Sequence, residues 1–148
     1  MPNRRNHPYI RHPKLRGEWA ELRFILRAIE LGLILSKPYG DSAPYDLVVD
    51  HQGHFLRVQV KCTVFHRGNS YKCHLDHNGI PYTPDQIDFF AIYVIPTDTF
   101  YILPLAATNN QPDILLTPHR KNSKYAQYRE AWHLLMCPSP SNKPSTGF

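Results

Sequence analysis

Four residues, Glu21, Asp46, Gln59 and Lys61, have side chains that could do chemistry together. Two carboxylates and an amide oxygen are hard donors of the kind Mg²⁺ accepts, and that ion is often held by one or two carboxylates plus a substrate phosphate. An ammonium beside such a cation can stabilise charge that develops on a phosphoryl group. The chain must first bring the four together, and the stretch YDLVVDHQGHFLRVQVKC, residues 45–62, supplies most of the means.

That stretch reads as a β-hairpin, with its turn at His51–His54 centred on Gln52–Gly53. Strand side chains alternate faces, so Leu56, Val58, Val60 and Cys62 share one face, and Phe55, Arg57, Gln59 and Lys61 the other. The turn pairs Asp50 with Phe55, Val48 with Arg57 and Asp46 with Gln59. Lys61 then stands diagonal to Asp46, within reach of a long side chain. A wet outer face with a Lys–Asp pair worth under about 1 kcal/mol would alternate in the same way. Val48 and Phe55 on that face, and an acid offered by a preceding helix, favour a built site.

The helix is predicted over residues 17–33, with Leu22, Ile25, Leu26, Ile29 and Leu33 as its apolar face and Arg23, Arg27 and Glu30 opposite. Glu18 suits the first turn. Glu21 falls on the border of the apolar stripe. A short strand near 34–37 and the turn-rich SKPYGDSAP lead into the hairpin. The polar segment 66–86 reads as a strand flanked by loops. Residues 87–95, IDFFAIYVI, read as a buried central strand, paired with 99–105 across a turn at 96–98. SKYAQYREAWHLLM reads as a second helix with Tyr125, Tyr128, Trp132 and Leu135 along one side. Residues 17–137 are expected to form one domain, and the tail 138–148 to be disordered.

The chain has 148 residues and a net charge of +5. Residues 1–16 contain five Lys or Arg and no acid, while the remainder is balanced. A basic arm on a neutral domain suits a nucleic-acid backbone, and a solubilising tail would have the same composition. No apolar run approaches the roughly 18 residues of a membrane span. The N-terminal stretch lacks the apolar segment of a secretory signal, so a cytoplasmic protein is expected. Cys62, His66, Cys73, His74 and His77 crowd one region, but their spacing lacks the paired knuckles of a zinc site. The third cysteine is Cys137, and no disulfide framework is expected.

The G-x-x-x-E of GEWAE (17–21), the YD of GDSAPYD (40–46) and the Q-V-K of RVQVK (57–61) together resemble the PD-(D/E)XK nuclease superfamily. They are most similar to its group I intron-associated homing endonucleases. The resemblance runs from about Gly17 to Trp132 and includes IDFFAIYVI and YILPL. It implies an α/β restriction-endonuclease-like core, a central mixed sheet flanked by helices. It implies that Asp46 binds metal, that Lys61 is the lysine of the motif and that Glu21 completes the site. Gln59 stands where most members have Asp or Glu, and Gln at this place is a feature of the intron branch. Tyr45 replaces the proline of "PD", and Gly17 matches the glycine at the helix start.

The resemblance implies a metal-dependent DNA endonuclease, with Glu21, Asp46, Gln59 and Lys61 as catalytic residues. Mg²⁺, with Mn²⁺ as a substitute, would sit on Asp46, Gln59, the Val60 carbonyl and Glu21. The products would be a 5′-phosphate and a 3′-hydroxyl. Arg4, Arg5, Arg11, Lys14 and Arg16, with Arg67 and Lys72, are expected to bind double-stranded or branched DNA. Arg120, Lys121 and Lys124 form a further basic cluster. Cutting two strands implies a homodimer or homotetramer. The resemblance also places the protein, of prokaryotic type, with the nucleoid. Two other readings keep this fold: a junction resolvase, repair or defence nuclease, or a binding module with a lost metal site.

Overall fold

The hairpin that carries Asp46, Gln59 and Lys61 lies within a five-stranded mixed sheet. The computed structural model describes residues 10–136. Helix α1 is Pro13–Glu30, and the strands are β1 Ile34–Ser36, β2 Leu47–His51, β3 His54–Thr63, β4 His66–Arg67, β5 Ser70–His74, β6 Phe89–Val94, β7 Thr99–Pro104 and β8 Asp113–Leu116. The main sheet has the order β1-β2-β3-β6-β7; β3 and β6 are parallel and the other pairs antiparallel. A second sheet has the order β4-β5-β8.

The hairpin register is the expected one, with Asp50 opposite Phe55 and Val48 opposite Arg57. Gln52 and Gly53 both take positive φ, 53° and 79°, so the turn twists with its strands. Asp50 Oδ1 accepts the Gly53 N–H at 3.0 Å and fixes the loop. Beyond β2, the Asp46 N–H also donates to the Val58 carbonyl, at 3.0 Å, one residue out of the strand register.

β6 is buried on both faces, which is why its sequence is continuously apolar. Ala91 and Tyr93 join Leu47, Val49, Val58 and Val60 against Ala20, Phe24 and Ala28 of α1. Phe90, Ile92 and Val94 face a second core with Tyr71, Cys73, Ile114 and Leu116. The three-stranded sheet therefore covers this second face. Arg57 locks the parallel crossover: its backbone N–H and its guanidinium both bond to Asp88, just ahead of β6.

The helix differs from expectation in bounds and in face. It begins at Pro13, since proline at the first position lacks only an N–H that would be unpaired anyway. Gly17 is thus interior to α1, and residues 13–16 of the predicted arm are helical. The buried face is Ala20, Phe24 and Ala28, while Leu22, Leu26 and Ile29 are 63%, 53% and 57% exposed. Small alanines let the helix lie close to the sheet. Phe24 then inserts against Trp132 and Phe100, at ring distances of 5.3 and 6.0 Å. Leu33 is buried, as expected, although it lies past the helix end.

The second helix does not form. Two short 3₁₀ turns, Ala126–Tyr128 and Trp132–Leu135, are separated at Glu130, whose φ is +52°. The Glu130 N–H donates to the Phe100 carbonyl at 2.7 Å. Its carboxylate accepts from the Phe100 N–H at 2.8 Å and from Trp132 Nε1–H at 2.7 Å. These bonds to β7 override local helix propensity. Tyr125, Trp132 and Leu135 are buried all the same. β8 is a strand that no local pattern announces. Arg4, Arg5, Cys137 and the tail 138–148 lie outside the described residues.

Candidate active site

Asp46 reaches its position because β2 begins only at Leu47, while β3 runs on past it to Thr63. Val58 and Val60 turn their backbone groups toward β2: Val58 C=O takes the Asp46 N–H, and Val60 N–H donates to Asp46 Oδ2 at 2.9 Å. The Val60 carbonyl lies on the same edge, beyond the end of β2. Asp46 Oδ1 carries no hydrogen bond among the described residues, and neither does the Gln59 side chain. Both line a cleft of about 430 Å³, walled on its other side by His77, Ile80 and Tyr82.

Burial pushes the Asp46 carboxyl above the usual range. The Val60 N–H opposes that shift, the Glu21 charge reinforces it, and Lys61 and Lys37 counter it. A carboxylate short of solvation, with one oxygen pinned and the other open beside an unbonded amide, is suited to a hard cation. Among the described residues no three His, Cys, Asp or Glu side chains converge as a metal site. The oxygen donors here are instead the Asp46 carboxylate and the Gln59 amide on the cleft, with the Val60 carbonyl on the same edge, and they fit a divalent ion that keeps several waters.

Lys61 is held beside the cleft rather than in its wall. Its Nζ lies 5.3 Å over the Tyr82 ring and 3.5 Å from the Asp76 carbonyl. Tyr82 is itself pushed up in pKa by burial, with Asp46 and Asp76 adding to the effect. Glu21 comes from the border of the α1 core face, as expected, with its side chain 19% exposed. It does not line the cleft, but its charge reaches Asp46. Its direct partner is Lys37, whose Nζ lies 2.7 Å from Glu21 Oε1.

Lys37, Asp41, His77 and Tyr82 also join the site, and of these only Asp41 lies in a stretch that carries the resemblance. Lys37 follows β1 immediately, and only the tertiary fold brings that strand's end to Glu21. Asp41 lines the cleft from the GDSAPYD loop. His77 and Ile80 close a tight turn through Asn78 and Gly79, both at positive φ. The Asn-Gly pair is a hairpin signal legible in the sequence.

The candidate DNA contacts separate into groups. Lys14 and Arg16 lie on α1 and Arg11 just before it, and the Arg16 charge reaches the Cys62 thiol. Arg67 is exposed on β4, whereas Lys72 on β5 pairs with Asp113 at 3.7 Å. Lys72 stands opposite Leu115, which lines a second, open cavity of about 680 Å³ with Asp113, Arg120 and Lys124. His66 packs on Tyr71 at 4.3 Å, His74 bonds to Asp113, and burial pushes the Cys73 thiol up to about 12.

Residues 11–135 match the family model described as PD-(D/E)XK endonuclease. Among solved structures the chain is similar to the bacterial homing endonuclease I-Ssp6803I. The two are 31% identical, the match covers 86% of this chain and 93% of the other, and the TM-score is 0.74. No curated protein matches. No helix among the described residues is long and apolar enough to cross a membrane. A mixed sheet against one helix, the Asp46–Gln59–Lys61 hairpin and a family match across most of the chain agree, and the chain belongs to the PD-(D/E)XK endonuclease family.

Proposed function

We propose that the protein is a Mg²⁺-dependent, homing-endonuclease-like DNA endonuclease whose site is Glu21, Asp46, Gln59 and Lys61. The observation that carries this assignment is the Asp46 carboxylate: half-buried, held through Oδ2 by the Val60 N–H, and lining the same cleft as the Gln59 amide. Asp46, Gln59 and the Val60 carbonyl would hold the ion, with Glu21 approaching from α1. When bound, a divalent cation there offsets charge on the phosphate and lowers the pKa of a water toward neutrality. Lys61, steadied over Tyr82, presents its ammonium to the phosphoryl group as it gains charge. Gln59 supplies an oxygen without a charge, so the negative charge of this ligand set rests on Asp46 and Glu21, while Asp41 adds a further acid to the cleft wall. The retention of both acids and of Lys61 favours catalysis over a binding-only module.

The test is cleavage of supercoiled plasmid and long genomic DNA by wild type and Lys61→Ala, with Mg²⁺ or Mn²⁺. Wild type should nick or cut, EDTA should stop it, and Lys61→Ala should be slower by about 100-fold. Discrete fragments from genomic DNA support the homing-like reading; cleavage confined to branched substrates would replace it with a resolvase. If both proteins bind DNA but neither cuts linear, plasmid or branched substrates, the catalytic reading fails.

Severing both strands of a duplex calls for two such sites, which supports a homodimer or homotetramer. The uncovered stripe of Leu15, Leu22, Leu26 and Ile29 on α1 is the apolar surface we assign to a second copy. The double substitution Leu22→Glu, Leu26→Glu should therefore shift sedimentation from an oligomer to a single chain without unfolding it. Sedimentation of wild type as a single chain at high concentration would refute this assignment.

A further inference from the structure

We propose that Lys37 is a built-in placeholder cation, holding Glu21 while the metal site is empty and giving way when a divalent ion binds. The proposal rests on the metal-site reading above and goes beyond it by assigning a residue outside the Asp46–Gln59–Lys61 motif. Three observations carry it.

Lys37 Nζ sits 2.7 Å from Glu21 Oε1, the closest ion pair of the site. Its charge also acts on Asp46, so a single ammonium serves both carboxylates. Lys61, the other cation nearby, is engaged with the Asp76 carbonyl and the Tyr82 ring and forms no ion pair among the described residues. Both ammonium groups therefore act on Asp46, but only Lys37 pairs directly with Glu21.

The pair is also built to be broken. Glu21 is 19% exposed at the side chain and fixed in α1, whereas Lys37 is 63% exposed and follows the three-residue strand β1 at the sheet edge. Glu21 is the only hydrogen-bonding or ionic partner of the Lys37 head group among the described residues. An exposed ion pair of this kind is weak, and Pro38 directly after Lys37 stiffens the backbone while leaving the side chain free. A divalent cation brings twice the charge to the same carboxylates and competes for the same oxygen. An ordinary surface salt bridge would have the same length but no link to the metal.

Mn²⁺ binding measured calorimetrically without DNA separates the two. In Lys37→Met, which keeps the stem and removes the charge, Mn²⁺ should bind tighter than in wild type by about 5-fold or more. Lys37→Arg should restore the wild-type affinity. The gain should vanish when Glu21→Gln is added, because the competition is for that carboxylate. It should also shrink at high salt. Equal or weaker Mn²⁺ binding in Lys37→Met, with wild type still binding, overturns the placeholder role and leaves the metal site standing. No Mn²⁺ binding by wild type overturns the metal-site reading itself.

Discussion

Asp46→Asn is expected to slow DNA cleavage by about 10³-fold while the metal-free protein stays folded and becomes no less stable. The amide keeps the shape and can still accept the Val60 N–H. The substitution removes one of the two charges that could hold a cation, in a site where Gln59 already contributes none. That loss should exceed the loss of Lys61, whose proposed role is to stabilise charge rather than to hold the ion. The effect on stability comes from the raised pKa of Asp46, which burial causes and Glu21 reinforces. A carboxyl that binds its proton more tightly folded than unfolded stabilises the fold below the ordinary carboxylate range. It withdraws that stability as pH rises through the folded pKa. Wild-type melting should therefore lose stability across that window relative to Asp46→Asn. Added Mn²⁺ should raise the wild-type midpoint by more than that of Asp46→Asn, because the substitution removes one of the two charges that favour ion binding to the folded state. Wild-type cleavage by Asp46→Asn would end the assignment of this residue.

Phe24→Ala should be the most destabilising single truncation on α1, costing about 3–5 kcal/mol. The ring is 0% exposed and packs on Trp132 and Phe100, so its removal opens a cavity between the helix, β7 and the C-terminal turn. The surrounding aromatics cannot collapse into it easily: Phe100 is stacked on Tyr93 at 4.5 Å, and the Trp132 indole is tied to Glu130 at 2.7 Å. Against a total stability of about 5–15 kcal/mol, this is a substantial share. Chemical denaturation of Phe24→Ala and Leu22→Ala, at concentrations where both are single chains, makes the comparison. The leucine change should cost about 0.5 kcal/mol or less, since its side chain is 63% exposed. Equal costs would mean that the helix buries another face.

The contrast between Phe24 and Leu22 marks where the sequence stops being informative. A 3.6-residue period shows a helix, and its strongest apolar stripe is Leu22, Leu26 and Ile29. That stripe faces outward. Periodicity ranks residues by hydrophobicity, whereas close packing on a sheet selects by shape, and Ala20 and Ala28 admit the backbone where leucines would not. The second helix fails for a related reason: the Glu130 bonds to Phe100 are long-range and have no local signature.

The hairpin is legible because its register comes from a two-residue turn and strict alternation, both local. Those two rules gather Asp46, Gln59 and Lys61 without any knowledge of the fold. The sequence alone also shows the buried central strand, since a continuous run of aromatic and β-branched residues suits a strand covered on both faces. The tertiary structure alone decides what covers the second face, and that β8 supplies part of it. It alone brings Lys37 from the end of β1 to Glu21 at 2.7 Å. Local chemistry sets the hairpin motif; loop closure over long separations, which no local pattern encodes, sets its surroundings.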